Sequence, residues 1–480
     1  MVPKRFAGSA MRVPPAITAC AAGVLLGTFY TLSPMTVWFG LAMIALFVCA
    51  GRGLERRERV WIFGLLASAL TFRLLALVIF FFVTYQVDGS FPIMIPDEEH
   101  IAMRSRLLRY IALDIPLAGA DYAMAVNQYG DSGLYFPLAY LQLQFGDAPY
   151  AIRLLHVALY MTGCVTLYRT VRPTFGAVAA LGGLAVVLFL PSLFVWSIAS
   201  LKEAPHQFLT AISVGAAFTV VRARSIPTRV LGIAIGVAAL LALGRLRFAG
   251  DIMVGGGIVG GLALGAAIRR PVLLLIALVL SMALGAAAMQ SSSVRQRATN
   301  LIVDVANFHV GHVHTTGWHY KILDPEFYIR RQDGSAQEIL ADRITPAAVA
   351  RYLIRAGTSF VLVPLPWNIA SRPALAYMPE QVVWYLLVAL APLGAIAGVR
   401  RDPALTLSLL GIIVLGAGII GVTSGNVGTL IRHRAMVLMA LPWLSGLGAC
   451  ELVRYFVPSR GTSQHEAGTG LQEWETRAAY

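Results

Sequence analysis

Phe91-Pro92-Ile93-Met94-Ile95-Pro96-Asp97-Glu98-Glu99-His100 places three consecutive acids directly after a long hydrophobic block. The chain is otherwise poor in carboxylates, with 24 Asp and Glu among 480 residues. Acidic groups at a bilayer surface repel anionic headgroups and gain nothing from burial, so a cluster there is a site candidate. Its meaning depends on the side of the membrane it faces, and hence on the number of spans before it.

The composition requires a membrane. The chain is 58% hydrophobic and 13% charged, with a mean hydropathy of +0.71, whereas soluble domains carry roughly 25% charged residues. Apolar runs long enough to cross a bilayer recur throughout. The net charge of +14 comes almost entirely from Arg in short clusters between these runs. That distribution orients a protein in a bilayer and excludes nucleic acid as a partner. Cys20, Cys49, Cys164 and Cys450 all fall in apolar runs and read as small core residues. Lys4, Arg5 and Arg12 before an apolar run imitate a secretory signal, but the next span follows so closely that an uncleaved first helix is expected.

The fold class expected is therefore all-α and polytopic, with twelve spans near 15–31, 35–50, 60–84, 150–168, 176–197, 204–221, 229–243, 251–268, 271–289, 380–398, 404–422 and 435–453. With this count, Lys4/Arg5/Arg12, Arg52/Arg56/Arg57/Arg59, Arg169/Arg172, Arg222/Arg224/Arg229, Arg269/Arg270, Arg400/Arg401 and Arg454/Arg460 share one face. The positive-inside rule makes that face cytoplasmic, along with both termini, in a plasma (inner) membrane. A transmembrane domain over 1–456 and a disordered cytoplasmic tail over 457–480 follow. The opposite face, periplasmic or extracellular, receives two long segments, 85–149 and 290–379, with interfacial helices at 98–112 and 346–363. The first should show Ile101, Leu108 and Ile111 on its apolar side and Arg104, Arg106 and Arg109 on its polar side.

Polar chemistry gathers on that outer face. Asp97, Glu98, Glu99 and His100 open a helix, where acids favour the first turn. The cluster also suits a general base, with Asp97 first and Glu98 in support. Asp97, Glu98 and His100 have the donor set for a divalent metal as well. Lys202 beside Glu203 at membrane depth is costly unless buried in protein or touching a ligand. It is either an ion pair at a helix end or a phosphate contact. Arg432-His433-Arg434 follows a Gly/Asn-rich turn on the face where the orientation rule expects no cations. Anion binding by Arg432 and Arg434 is expected there, with Arg245 and Arg153 as further outer cations; headgroup anchoring is the plainer alternative. His312-Val313-His314, if extended, would put both imidazoles on one side, an arrangement that zinc could use. Asp324-Pro325-Glu326-Phe327-Tyr328 with Trp318 and Tyr320 reads as a surface for a sugar or acceptor. P-loop, dinucleotide and nucleophile-elbow motifs are absent, which excludes ATP-driven transport.

From Pro96 to about residue 215 the pattern resembles the GT-C-fold membrane glycosyltransferases, in the protein O-mannosyltransferase-like and aminoarabinose-transferase-like branch. The residues that carry it are Asp97-Glu98-Glu99, Tyr135-Phe136-Pro137-Leu138, Gly146 to Arg153-Leu154, Leu167-Tyr168, Leu190-Pro191-Ser192 and Leu201-Lys202-Glu203. In this chain the acidic motif follows the third span, not the first. The resemblance implies sugar transfer from a polyprenyl-phosphate donor to an acceptor hydroxyl of a glycan, lipid or protein. Asp97 would be the base, the transfer inverting, and the Lys and Arg groups would steady the departing phosphate. A lipid-linked oligosaccharide polymerase or ligase of the O-antigen type is the rival reading, favoured by the late basic turn and the long 290–379 segment. A transporter or flippase is a third, disfavoured because the polar residues lie at one surface and not at the midplane.

Overall fold

The computed structural model describes residues 23, 33–88, 96–126, 133–146, 149–268, 270–315, 317–328, 345–367 and 372–457. Among them are eighteen α-helices, one 3-10 turn and no strand beyond an isolated bridge. In chain order these are α1 Pro34–Gly51, α2 Arg56–Asp88, α3 Pro96–Ala112, α4 Gly119–Val126, α5 Tyr135–Phe145, α6 Pro149–Phe175, α7 Ala177–Phe189, α8 Pro191–Ile198 and α9 Glu203–Arg222. They continue with α10 Ile226–Leu246, α11 Gly250–Ile268, α12 Pro271–Gln290, α13 Ser292–Val313, α14 Pro346–Leu362, α15 Arg372–Arg401, α16 Pro403–Thr423, α17 Val427–Val437 and α18 Leu441–Phe456. Eight are long and apolar enough to cross a bilayer as single helices. The chain is a multi-pass, all-α membrane protein.

Many starts follow one rule: a side-chain oxygen caps free amides beside a proline that has no N–H to lose. Ser33 accepts from Met35 N ahead of Pro34, Thr345 from Ala348 N ahead of Pro346, and Asp402 from Leu405 N ahead of Pro403. Asn426 caps α17 by accepting from both Gly428 N and Thr429 N.

Two expected spans are not straight. The fifth divides at Leu190-Pro191 into α7 and α8, bent by 60°, and the twelfth divides between α17 and α18, bent by 70°. The 13 residues of α7 reach only about 20 Å, short of the ~30 Å hydrocarbon core. Pro191 and Pro442 supply the cause, since a proline removes a ladder donor and crowds the preceding turn. Apart from residue 23, the expected first span lies outside the described residues, as does the tail from 458.

The helices form two compact units, residues 1–162 with 195–205, and residues 163–194 with 206–480. In the first, α1 packs on α2 and α3 packs on α5. The buried side of α3 is Ile101, Arg104, Ser105 and Leu107, so Arg104 lies on the packed face and not on the expected polar one. Its Nε donates to Ala125 O at 3.3 Å, and its guanidinium stacks 4.5 Å from the Tyr135 ring centroid. In the second unit α11 lies against α16 and α15 against α18. Glycine makes both approaches possible: a Cβ at Gly261 would meet the backbone of Ser408, and one at Gly394 the backbone of Leu444.

Candidate functional site

In the first unit a buried carboxylate anchors the first turn of α3. Glu98 is 2% exposed and accepts from Arg153 Nη2 at 3.0 Å. It also accepts a short hydrogen bond from the Ser200 amide. Arg153, 3% exposed, lies near the start of α6 with its guanidinium 5.6 Å from the Phe80 ring centroid. The two charges are removed from water together, so each is required by the other. The neighbours of Glu98 on the helix face outward: Asp97, Glu99 and His100 are all exposed. His100 meets the Tyr135 ring edge-on at 6.2 Å. Lys202, two residues past the Ser200 anchor, is half-buried, and Glu203 at the start of α9 is 1% exposed.

Two polar residues of this unit escaped the sequence reading. Arg73, fully buried in α2, donates from Nε to Ser197 Oγ at 2.8 Å and lies 5.1 Å from the Tyr160 ring centroid. His156 is 1% exposed and one turn beyond Arg153 on α6; its Nδ1 is 2.8 Å from Ile152 O. An ionisable residue inside an apolar run was the available signal for both.

The second unit holds the expected late basic turn and aromatic segment. Residues 318–327 are strapped to the α16–α17 turn: Tyr320 N donates to Gly425 O at 3.0 Å, and Val427 N donates to Trp318 O at 2.8 Å. A buried histidine anchors the strap. His309 Nδ1 is 2.7 Å from Ser424 O and its Nε2 is 2.8 Å from Tyr328 Oη. That phenol oxygen in turn accepts from Ile322 N and Leu323 N, both at 3.0 Å. Burial pushes the His309 imidazole down to about 4, against the opposing pull of the Ser424 carbonyl. Burial likewise raises the Tyr320, Tyr328 and Tyr352 phenols above their ordinary value. Asp324 is bound by Arg351 at 2.7 Å and by Arg355 at 2.8 Å, which hold its carboxyl below the usual range. Asp324 and Tyr328 are therefore fastenings of the strap and not a free sugar-facing surface; Trp318 and Tyr320 are half-buried on it.

His312 and His314 do not flank an extended strand. His312 ends α13 with its Nδ1 2.8 Å from Thr423 O, and His314 caps the helix. A zinc pair on one strand face is thereby replaced by helix-end hydrogen bonding. Among the described residues no group of three His, Cys, Asp or Glu side chains is gathered as a metal site, at Asp97/Glu98/His100 or elsewhere.

The two arginines of the basic turn differ. Arg434 is 1% exposed. It donates from Nε to Phe360 O at 3.0 Å and from Nη1 to Gln381 Oε1 at 3.1 Å, with Nη2 on the Phe360 and Val363 carbonyls. It stacks 4.7 Å from the Trp384 ring centroid. Its donors satisfy the orphan carbonyls at the end of α14, so the expected phosphate contact by Arg434 gives way to a structural role. Arg432 is half-buried and Arg245, in the last turn of α10, is exposed. Glu380, 6% exposed near the start of the α15 span, accepts from Ser192 N at 2.8 Å and so caps α8. It was also missed, being a single acid at the edge of an apolar run.

No family model matches the chain. No curated protein matches it. Among solved structures it is similar to the crystal structure of ArnT from Cupriavidus metallidurans bound to undecaprenyl phosphate, with a TM-score of 0.36 and 15% identity over 78% of this chain and 77% of that one. At that level of likeness the chemistry has to be read from the residues themselves.

Proposed function

We propose that the chain is a GT-C-like membrane glycosyltransferase, moving a sugar from a polyprenyl-phosphate donor to an acceptor hydroxyl at the non-cytoplasmic surface of the plasma membrane. The observation that supports it best is the division of labour in the first turn of α3. Glu98 is buried and occupied by Arg153 and Ser200 N, while Asp97, one residue ahead, is exposed. A carboxylate that is buried and held by both a guanidinium and an amide is not presented to an incoming acceptor hydroxyl. Glu98 is therefore a positioning residue. Asp97 is the base, presented on a helix end that Glu98 holds still, as positioned acid–base chemistry requires.

In the proposed reaction Asp97 takes the proton of the acceptor hydroxyl, whose oxygen attacks the anomeric carbon. The bond to the phosphate oxygen breaks with inversion, and the phosphate leaves with the electron pair. Lys202 is proposed to stabilise that developing charge. Arg432 and Arg245 are proposed as phosphate-binding residues on the sequence pattern alone. Glu99, His100, Trp318 and Tyr320 are proposed contacts for sugar or acceptor.

The test is mass spectrometry of envelope glycans and polyprenyl-linked intermediates in a deletion strain carrying each variant. Asp97→Asn should lower transfer by about 10²- to 10⁴-fold while the protein reaches the membrane in normal amount. Undiminished transfer by that variant would end the assignment of the base. Accumulation of single repeat units, in place of loss of one sugar, would favour the polymerase reading.

A further inference from the structure

A cleft of about 960 Å³ opens in the second unit, and none of the residues lining it is assigned to transfer. It lies where the last turn of α9, the end of α11 and the α15–α16 turn meet, and it has two kinds of lining. Val221, Leu262, Ala263 and Ala266 make it apolar, and Arg222, Arg270 and Arg401 make it cationic. One acid, Asp402, also lines it and pairs with Arg222.

The arginines are prepared to different degrees. Arg222 is fixed by Thr170 O at 2.8 Å, Thr174 Oγ1 at 3.1 Å and Asp402 Oδ2 at 3.3 Å. Arg401 is fixed by Phe175 O at 3.1 Å and by Glu451. Arg270, in the turn between α11 and α12, is exposed, and its guanidinium has no partner among the described residues. Two oriented cations and one uncommitted one therefore border a slot walled by methyl groups, at the ends of membrane helices. A free anion would use the arginines and gain nothing from the apolar lining. A molecule carrying both a phosphate and acyl chains uses both, and the planar guanidinium suits phosphate oxygens in pairs.

We propose that this cleft binds the headgroup phosphate and upper acyl region of an anionic glycerophospholipid. The site lies on the face to which the arginine clusters assign the cytoplasm, where basic pockets between helices meet anionic lipids. Bound there, the lipid would tie the ends of α9, α11 and α15 together without touching the proposed transfer residues. The inference does not depend on the function proposed above.

The experiment is native mass spectrometry of the full-length, delipidated protein titrated with phosphatidylglycerol, phosphatidylcholine or inorganic phosphate. Phosphatidylglycerol should bind preferentially. Arg270→Gln, which removes no internal bond, should weaken it about fivefold, the effect of one basic residue at an anionic surface. Arg229→Gln, an exposed arginine outside the cleft, should leave it unchanged. Ala266→Phe keeps every cation but fills the apolar slot, so it should abolish phosphatidylglycerol binding. Equal binding of the two lipids, or an Arg270→Gln affinity equal to wild type, would overturn the proposal. So would inorganic phosphate binding at the same site with unchanged affinity in Ala266→Phe alongside retained lipid binding, which would identify a plain anion site.

Discussion

Glu98 shows why single residues in a cluster cannot be ranked from the sequence alone. Three adjacent acids on a helix point in directions about 100° apart, so only one of them can be swallowed by packing. That one is Glu98, paired with Arg153 at 3.0 Å. Glu98→Ala should therefore destabilise the protein by about 3–5 kcal/mol, the cost of stranding a buried partner charge. Asp97→Ala should be close to neutral, and thermal unfolding in detergent separates the two. His309 carries a pH-dependent prediction. Its native value of about 4 lies below the ordinary 6.5, so on acidification the unfolded chain takes up a proton first. The stabilisation is complete above about 6.5 and falls as pH drops towards about 4, by about 3 kcal/mol in all. Hydrogen exchange over residues 318–328 should accelerate across that window, and His309→Gln should remove the dependence. The candidacy of the acidic cluster was legible from its place after an apolar block. The division of roles within it was not, because Arg153 and Ser200 come from distant parts of the chain.

At the scale of elements, the amphipathic helix over 346–363 was legible from its periodicity: α14 buries Tyr352, Ala356 and Phe360, spaced by four. What ends it was hidden, since Arg434 reaches back across more than seventy residues to the Phe360 and Val363 carbonyls. The same holds for the strap, where Tyr328 accepts from two amides and meets His309. Tyr328→Phe leaves those amides unpaired in a buried place, and should cost about 1–3 kcal/mol of stability by thermal unfolding. The glycine seam between α11 and α16 was visible only as composition. Gly261→Leu drives a side chain into the Ser408 backbone, and a loss of more than about 3 kcal/mol is expected, as overpacking here cannot relax through rotamers. Gly260→Leu one position away meets nothing within 4 Å and should be tolerated. Equal effects of the two would contradict the seam.

For the whole molecule the prediction concerns orientation. Alkaline phosphatase fused after residue 313 or residue 345 should be active outside the cytoplasm, and after Phe456 it should be inactive; the reverse pattern would invert the proposed sidedness. The sequence by itself determined the class, because apolar runs of bilayer length and clustered arginines are local properties that water and lipid act on directly. It also determined the helix starts, where a cap and a proline sit side by side. Only the tertiary structure decided that the fifth and twelfth spans are broken pairs, bent by 60° and 70°. Only it decided that Arg434 is structural and that Glu98 rather than Asp97 is buried. Those outcomes depend on which distant donor reaches which buried acceptor, and a buried polar group takes whatever partner the packing brings to it.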